Sequence, residues 1–309
     1  MPVGVNIGAG KPGAFPGEFA ITEDDYLRWF RQISEMHADT IRVYTVLMPE
    51  FYHALATYNK TAQSPLYFMQ GVYNNEEDIS RLQDAYAEER KIEKDWIAMC
   101  KTIVDVVHGN AVIEPEAGNA GGNYTADVSQ YLCGWILGIE WQPEFVIGTN
   151  EANPGKTTFE GEYLYTEDAS PFEVFLASGL DACISYEMKQ YQMQHPVSFA
   201  NWVTTDPLSH PGEPNPETED AVSADAEHIK ARQEFKAGLF ASYQQFCFPV
   251  VQYRFLTFPL SVSAVHCAHR RFTGIKGQQS EKLFTGLDVA PVGPHIGICV
   301  IHGVPGSFE

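Results

Sequence analysis

The chain has 309 residues, of which 44% are apolar and 13% aromatic, enough for a substantial core and too many for a disordered tail. Forty acidic residues stand against twenty basic ones, a net charge of −20, so its field has the wrong sign for a nucleic-acid backbone or an anionic lipid surface. Neutral or cationic small molecules remain compatible with that charge, which also serves solubility.

No apolar run approaches the ~18 residues of a membrane span. The opening MPVGVNIGAG has neither the basic nor the apolar stretch of a signal peptide. The expectation is a cytoplasmic chain, or a domain of a longer exported or membrane-linked protein. Six cysteines (100, 133, 183, 247, 267, 299) are widely spread without a C-x-x-C pair and read as free thiols.

Apolar strand-like runs alternate with helical stretches, the pattern of βα units around a parallel sheet. The first run is Val3–Ile7, followed by a Gly/Pro-rich loop from Gly8 to Gly17. Thr22 then caps a helix through Tyr26, Leu27, Phe30, Ile33 and Met36, with acids in its first turn. Thr40–Tyr44 is a second strand, Pro49–Tyr58 a short helix, and Leu66–Val72 a third strand. A long charged helical region covers Glu76–Val107. The fourth strand, Trp135–Ile139, runs into Glu140-Trp141. A helix over Pro171–Gln192 leads to a fifth strand, Val197–Val203. After an acidic stretch, Thr204–Asp225, come a sixth run, Gly238–Tyr243, and a seventh, Ile296–Ile301. No eighth strand and no internal repeat is visible.

The expected architecture is therefore an α/β chain forming one (β/α)8 TIM-type barrel domain over 1–309, incomplete at its C-terminal end. Residues 244–295 are atypical. From 244 to the end there are three acids (Glu281, Asp288, Glu309) against five Lys/Arg, with half of the cysteines and four of the ten histidines. A displaced reading frame over this stretch accounts for the acid deficit and the faded periodicity together.

Several motifs fall away on chemical grounds. Gly8-Ala9-Gly10-Lys11-Pro12-Gly13 follows a strand, but a dinucleotide site needs a helix opening at its glycines, and Pro12, Pro16 and the delayed cap at Thr22 deny it. Cys247, His266, Cys267 and His269 lack the paired spacing of a zinc site, and no G-x-S-x-G elbow is present. No metal and no organic cofactor is implied.

Carboxylates and aromatics carry more. Strand C-termini of a parallel barrel point into the active-site mouth. A carboxyl there beside an indole is partly desolvated, which raises its pKa toward that of a general acid. Glu140 is that candidate; the plainer alternative is a buried ion pair with Arg42. Glu151, in an Asn-Glu pair expected in a Gly/Asn/Pro-rich loop, is a weaker catalytic candidate, and Glu187 reads as a surface residue of a helix. Tyr44, Tyr73, Trp141 and Trp202 all fall at or just past strand ends, a placement that suits stacking against sugar rings. Asn201, Thr204, Thr205 and Asp206 add hydroxyl-binding groups beside them.

Thr40-Ile41-Arg42-Val43-Tyr44, Gly134–Trp141, Ser198-Phe199-Ala200-Asn201-Trp202 and Thr205-Asp206-Pro207-Leu208 together resemble the catalytic barrels of clan A retaining glycoside hydrolases, of family 2 and family 5 type, over about residues 1–243. The resemblance implies hydrolysis or transglycosylation of a β-linked glycan. It maps the acid/base role onto Glu140, gives Arg42 the task of holding the nucleophile, and has Tyr44, Trp141, Asn201 and Trp202 line the sugar sites. Departures are visible. Ile139 stands where the family has Asn before the acid. Ile301 and His302 stand where strand seven should end in the nucleophilic glutamate, which leaves the nucleophile unassigned and implies impaired catalysis. The alternative is a non-catalytic carbohydrate-binding or scaffold barrel.

Overall fold

The computed structural model describes residues 4–210, 220–246, 291–292 and 295–302. In chain order the strands are β1 (Gly4–Ile7), β2 (Thr40–Val43), β3 (Tyr67–Val72), β4 (Ala111–Ile113), β5 (Gly122–Tyr124), β6 (Leu132–Leu137), β7 (Leu164–Thr166), β8 (Val197–Trp202), β9 (Ile229–Ala231), β10 (Phe240–Phe246), β11 (Pro291–Val292) and β12 (His295–His302). The helices are α1 (Glu23–Glu35), α2 (Pro49–Thr61), α3 (Glu76–Leu82), α4 (Ala87–Val107), α5 (Pro143–Ala152) and α6 (Pro171–Tyr191).

Strands β1, β2, β3, β6, β8 and β10 pair in that order, every pair parallel, as a curled half-barrel with the six helices. β12 continues the sheet parallel to β10, and the two-residue β11 pairs antiparallel with β12. Half of the expected (β/α)8 cylinder is thus formed by the described residues. Two antiparallel pairs, β4 with β5 and β7 with β9, lie outside the main sheet and left no clear alternation in the sequence.

Side chains on a strand alternate between faces, and here both faces are apolar, as parallel sheets require. Ile41, Val43, Phe68, Val72, Trp135, Leu137, Val197 and Phe199 join the helices in the main core. Met69, Ile136, Ala200 and Phe240 form a separate small cluster on the other face, with Cys133 against it. Arg42 shares a register row with Asn6 and Met69, so it lies on that second face.

Local chemistry sets the helix ends. Thr22 caps α1 in a reciprocal box with Asp25. Lys11 reaches back to Asp25 at 2.7 Å, and this ammonium together with the Thr22 amide holds the Asp25 carboxyl at about 2. The glycine-rich loop is therefore pinned to α1; no helix opens at Gly8, Gly10 or Gly13, and the loop ends in a single 3-10 turn over Pro16–Glu18. Ser170 and Glu173 form the same box at α6, with Pro171 in the first turn. The helical region expected over Glu76–Val107 consists of two helices, because Gln83 takes a left-handed conformation (φ 49) and closes α3. Gly179 of α6 meets the Trp96 indole of α4; a β-carbon there would sit 2.3 Å from the ring.

Among the described residues, no helix is long and apolar enough to cross a membrane. Cys100, Cys133 and Cys183 are free thiols. Cys247, His266, Cys267, His269 and most of the atypical 244–295 segment lie outside the described residues.

Candidate functional site

The C-terminal ends of β2, β3 and β6 meet, and backbone contacts bring them together. The main chain of Tyr44, just past β2, passes so close over Gly71 of β3 that a β-carbon on Gly71 would lie 2.1 Å from the Tyr44 carbonyl oxygen. The Gly138 amide, just past β6, donates to the Val72 carbonyl at the end of β3 at 2.8 Å. Gly138 has φ +97, and its missing side chain leaves room for the Trp141 ring, which a β-carbon would approach to 2.2 Å. The crossing over Gly71 allows a test. Gly71→Ala is expected to destabilise the fold by about 1–3 kcal/mol, since β2 and β3 must separate. A urea midpoint equal to that of the parent chain counts against this close approach.

These contacts line up Arg42, Tyr44, Tyr73 and Glu140. Arg42 is buried, and its guanidinium carbon stands 4.5 Å from the centre of the Tyr44 ring. Burial pushes the Arg42 pKa down, with the charges of Tyr44 and Glu140 opposing. Burial also pushes the Tyr44 phenol up to about 12; Arg42 opposes and Glu140 adds. The Glu140 side chain reaches solvent, yet partial desolvation raises its carboxyl above the ordinary range, with Arg42 opposing and Glu76 adding. Tyr73 is 39% exposed and donates its hydroxyl to Glu76. Glu76, the first residue of α3, is therefore part of the cluster, and the sequence reading missed it. The available signal was its position, three residues past Tyr73 and within the turn that leaves the third strand.

Other expected site residues go elsewhere. Trp141 does not line the mouth. It is fully buried among Trp96, Phe145, Phe172 and Phe175, with ring centres 5.3–6.0 Å away. The turn at Gly138 and the start of α5 at Pro143 swing the indole under the helices while Glu140 stays outside. Glu151 lies on α5, not in a loop, and points to solvent. Its neighbour Asn150 accepts the Phe172 amide at 2.9 Å, tying α5 to α6. Asn201 is buried at the end of β8 and donates to the Ala224 carbonyl at 3.3 Å. Trp202 is half-buried beside it.

Asp206 belongs to a second group past β8. One carboxyl oxygen accepts the Leu208 amide at 2.8 Å, and the other lies 3.6 Å from His210 Nε2, whose Nδ1 sits 2.9 Å from Asp220. Burial pushes the Asp206 carboxyl up to about 6, the Leu208 amide and His210 oppose, and Asp220 adds. The folded state then holds a proton that the unfolded chain gives up near 3.8, so this group costs stability as pH rises from 3.8 to about 6. In Asp206→Asn that loss is expected to vanish, read as a smaller fall in unfolding free energy between the two pH values. Equal pH dependence in both chains would reject the raised carboxyl.

Glu187, expected on the surface of its helix, is instead buried in α6 at 1% exposure, because the helix packs that face inward. It accepts the Trp135 indole N–H at 3.2 Å and the His195 amide at 3.2 Å, and its other oxygen lies 2.7 Å from His195 Nδ1 and 3.2 Å from His108 Nε2. His108 in turn stacks on Tyr191, ring centres 3.8 Å apart. Burial works against the charge of Glu187, but its donors outweigh it and hold the carboxyl below its ordinary value. His195 precedes β8, so this cluster lies toward the strand N-termini, away from the mouth.

Among the described residues, no group of three His, Cys, Asp or Glu side chains is placed to hold a metal ion. Comparison with protein-family models, curated proteins and solved structures finds no match to the chain.

Proposed function

We propose that the chain is a glycoside hydrolase or transglycosidase of the retaining type, acting on a β-linked glycan and built on a clan A-like barrel. The observation that carries this reading is Glu140. Its carboxyl is solvent-reachable, raised by partial desolvation, placed past a strand C-terminus, and faced by Arg42 and two tyrosines. A general acid needs that combination, because it must hold a proton near neutral pH and still meet the leaving group. In the first step Glu140 gives its proton to the glycosidic oxygen as the bond to the anomeric carbon breaks. In the second it takes a proton from the water that displaces the enzyme's nucleophile. Tyr44 and the exposed Tyr73 supply ring faces beside it, and Arg42 supplies a fixed positive charge.

The test is turnover of 4-nitrophenyl β-glycosides, with the anomer of the first-formed sugar followed by proton NMR. Release of the β-anomer supports the reading, and no turnover across glucosides, galactosides, mannosides and xylosides removes it. One observation favours a non-catalytic carbohydrate-binding barrel instead: β12 ends in Ile301-His302, with no carboxylate there. That alternative predicts saturable binding of β-linked oligosaccharides without cleavage.

A further inference from the structure

We infer that Glu76 is the second carboxyl group of this site, the nucleophile that attacks the anomeric carbon, and that Tyr73 positions it. The assignment rests on the glycosidase reading and supplies the group that the end of β12 lacks. The geometry is local. Tyr73 immediately follows Val72, whose carbonyl receives the Gly138 amide, so the Tyr73 turn and the Glu140 turn are tied at the backbone. Ser80 of α3 donates to the Gln142 side chain at 3.3 Å, a second tie between the helix that carries Glu76 and the turn that carries Glu140. The Tyr73 hydroxyl donates to Oε1 of Glu76 and fixes the carboxylate's direction, leaving Oε2 to attack. Glu76 is exposed, so a ligand can reach it.

Electrostatics agree with this placement. The Glu76 charge raises Glu140, and the Glu140 charge raises Tyr73, so the three groups sense one another across the mouth. The other candidates are less suited. The Asp206 side chain is 1% exposed and engaged with Leu208 and His210, and Glu151 lies on α5. Desolvation, with the Glu76 charge adding, favours the protonated form of Glu140, the group that must deliver a proton to the leaving oxygen in the first displacement.

The chemistry balances. Oε2 of Glu76 forms an ester bond to the anomeric carbon while the bond to the leaving oxygen breaks and that oxygen takes the Glu140 proton. Water then attacks the same carbon, its proton passes to the Glu140 carboxylate, and the ester bond breaks to regenerate the Glu76 carboxylate. No oxidant or further reactant is needed.

The experiment uses 2,4-dinitrophenyl β-glycosides and their 2-deoxy-2-fluoro analogues, which form the ester quickly and hydrolyse it slowly. The full chain is expected to gain one fluoroglycosyl group on the peptide that contains Glu76. Glu76→Gln is expected to lose on the order of 10³-fold in turnover, and azide is expected to rescue Glu76→Ala by attacking from the vacated face, with the α-glycosyl azide as product. Tyr73→Phe should lower kcat more than it changes KM and move the alkaline limb of the pH profile. A label on another carboxylate, or parent-level turnover in Glu76→Gln, overturns the assignment while leaving the glycosidase reading in place. A parent chain that turns over none of the dinitrophenyl glycosides overturns both.

Discussion

Glu140→Gln is expected to lower turnover of 4-nitrophenyl β-glycosides by about 10²–10⁴-fold. The amide keeps the size and the neighbours of the acid but has no proton to give. The loss should shrink for 2,4-dinitrophenyl glycosides, whose leaving group departs without protonation, and this separates an acid from a residue that only binds substrate. The sign of the pH dependence follows from the surroundings. Desolvation and Glu76 raise the carboxyl and Arg42 restrains it, so the protonated form persists to higher pH than in an ordinary glutamate. The alkaline limb of the rate profile should therefore lie above the ordinary glutamate range and should fall when Glu76 is neutralised. Parent-level kcat in Glu140→Gln, with both leaving groups, would remove this residue from the mechanism.

The second large effect is on stability. Glu187→Ala is expected to cost about 3–5 kcal/mol, because the donors of Trp135, His195 and His108 lose their shared acceptor inside the protein. Against a typical total of roughly 5–15 kcal/mol, that leaves a small margin. The pH dependence has a definite sign. Glu187 has a folded pKa below its ordinary value, so its contribution is present above the unfolded pKa and disappears as pH falls through the folded one. The parent chain should lose stability on acidification over that window, and Glu187→Ala should lose less. Trp135→Phe removes one donor and also leaves a cavity where the indole packed, so its loss of stability includes a pH-independent part, while its pH-dependent part should be smaller than that of Glu187→Ala. Urea unfolding at several acidic pH values measures all three chains. Unfolding free energies in Glu187→Ala within a few tenths of a kcal/mol of the parent would mean that the cluster carries no net stability.

Much of this was readable from local pattern. The Thr22 cap with its acidic first turn, the apolar spacing of α1, and the βα alternation place β1, β2, β3, β6, β8, β10 and β12 close to where they occur. Caps and periodicity are short-range properties, so sequence states them directly. The fates of particular side chains were harder to read. Trp141 follows Glu140 by one residue, and adjacency suggested a shared environment. The positive φ of Gly138 breaks that link, and the four-residue spacing from Trp141 to Phe145 was the trace of its inward course. Glu187 lies four residues beyond Cys183, on the buried stripe of a helix that is apolar nearly all round, so its burial was legible once the stripe was followed. Its partners His108 and His195 come from distant segments, and spacing says nothing of that meeting. Glu76 is hidden for a similar reason: it opens α3 among three consecutive acids, and only the turn after β3 brings it against Tyr73.

The amide of Gly138 bound to the carbonyl of Val72 has a broader consequence. The location of the Glu140 turn is inherited from the ladder of the sheet and not from the side chains around it. A side chain such as Tyr44 can then be exchanged while the Glu140 carboxyl keeps its station. Variation that would disarm a centre assembled from side-chain contacts alone is, in this arrangement, uncoupled from it.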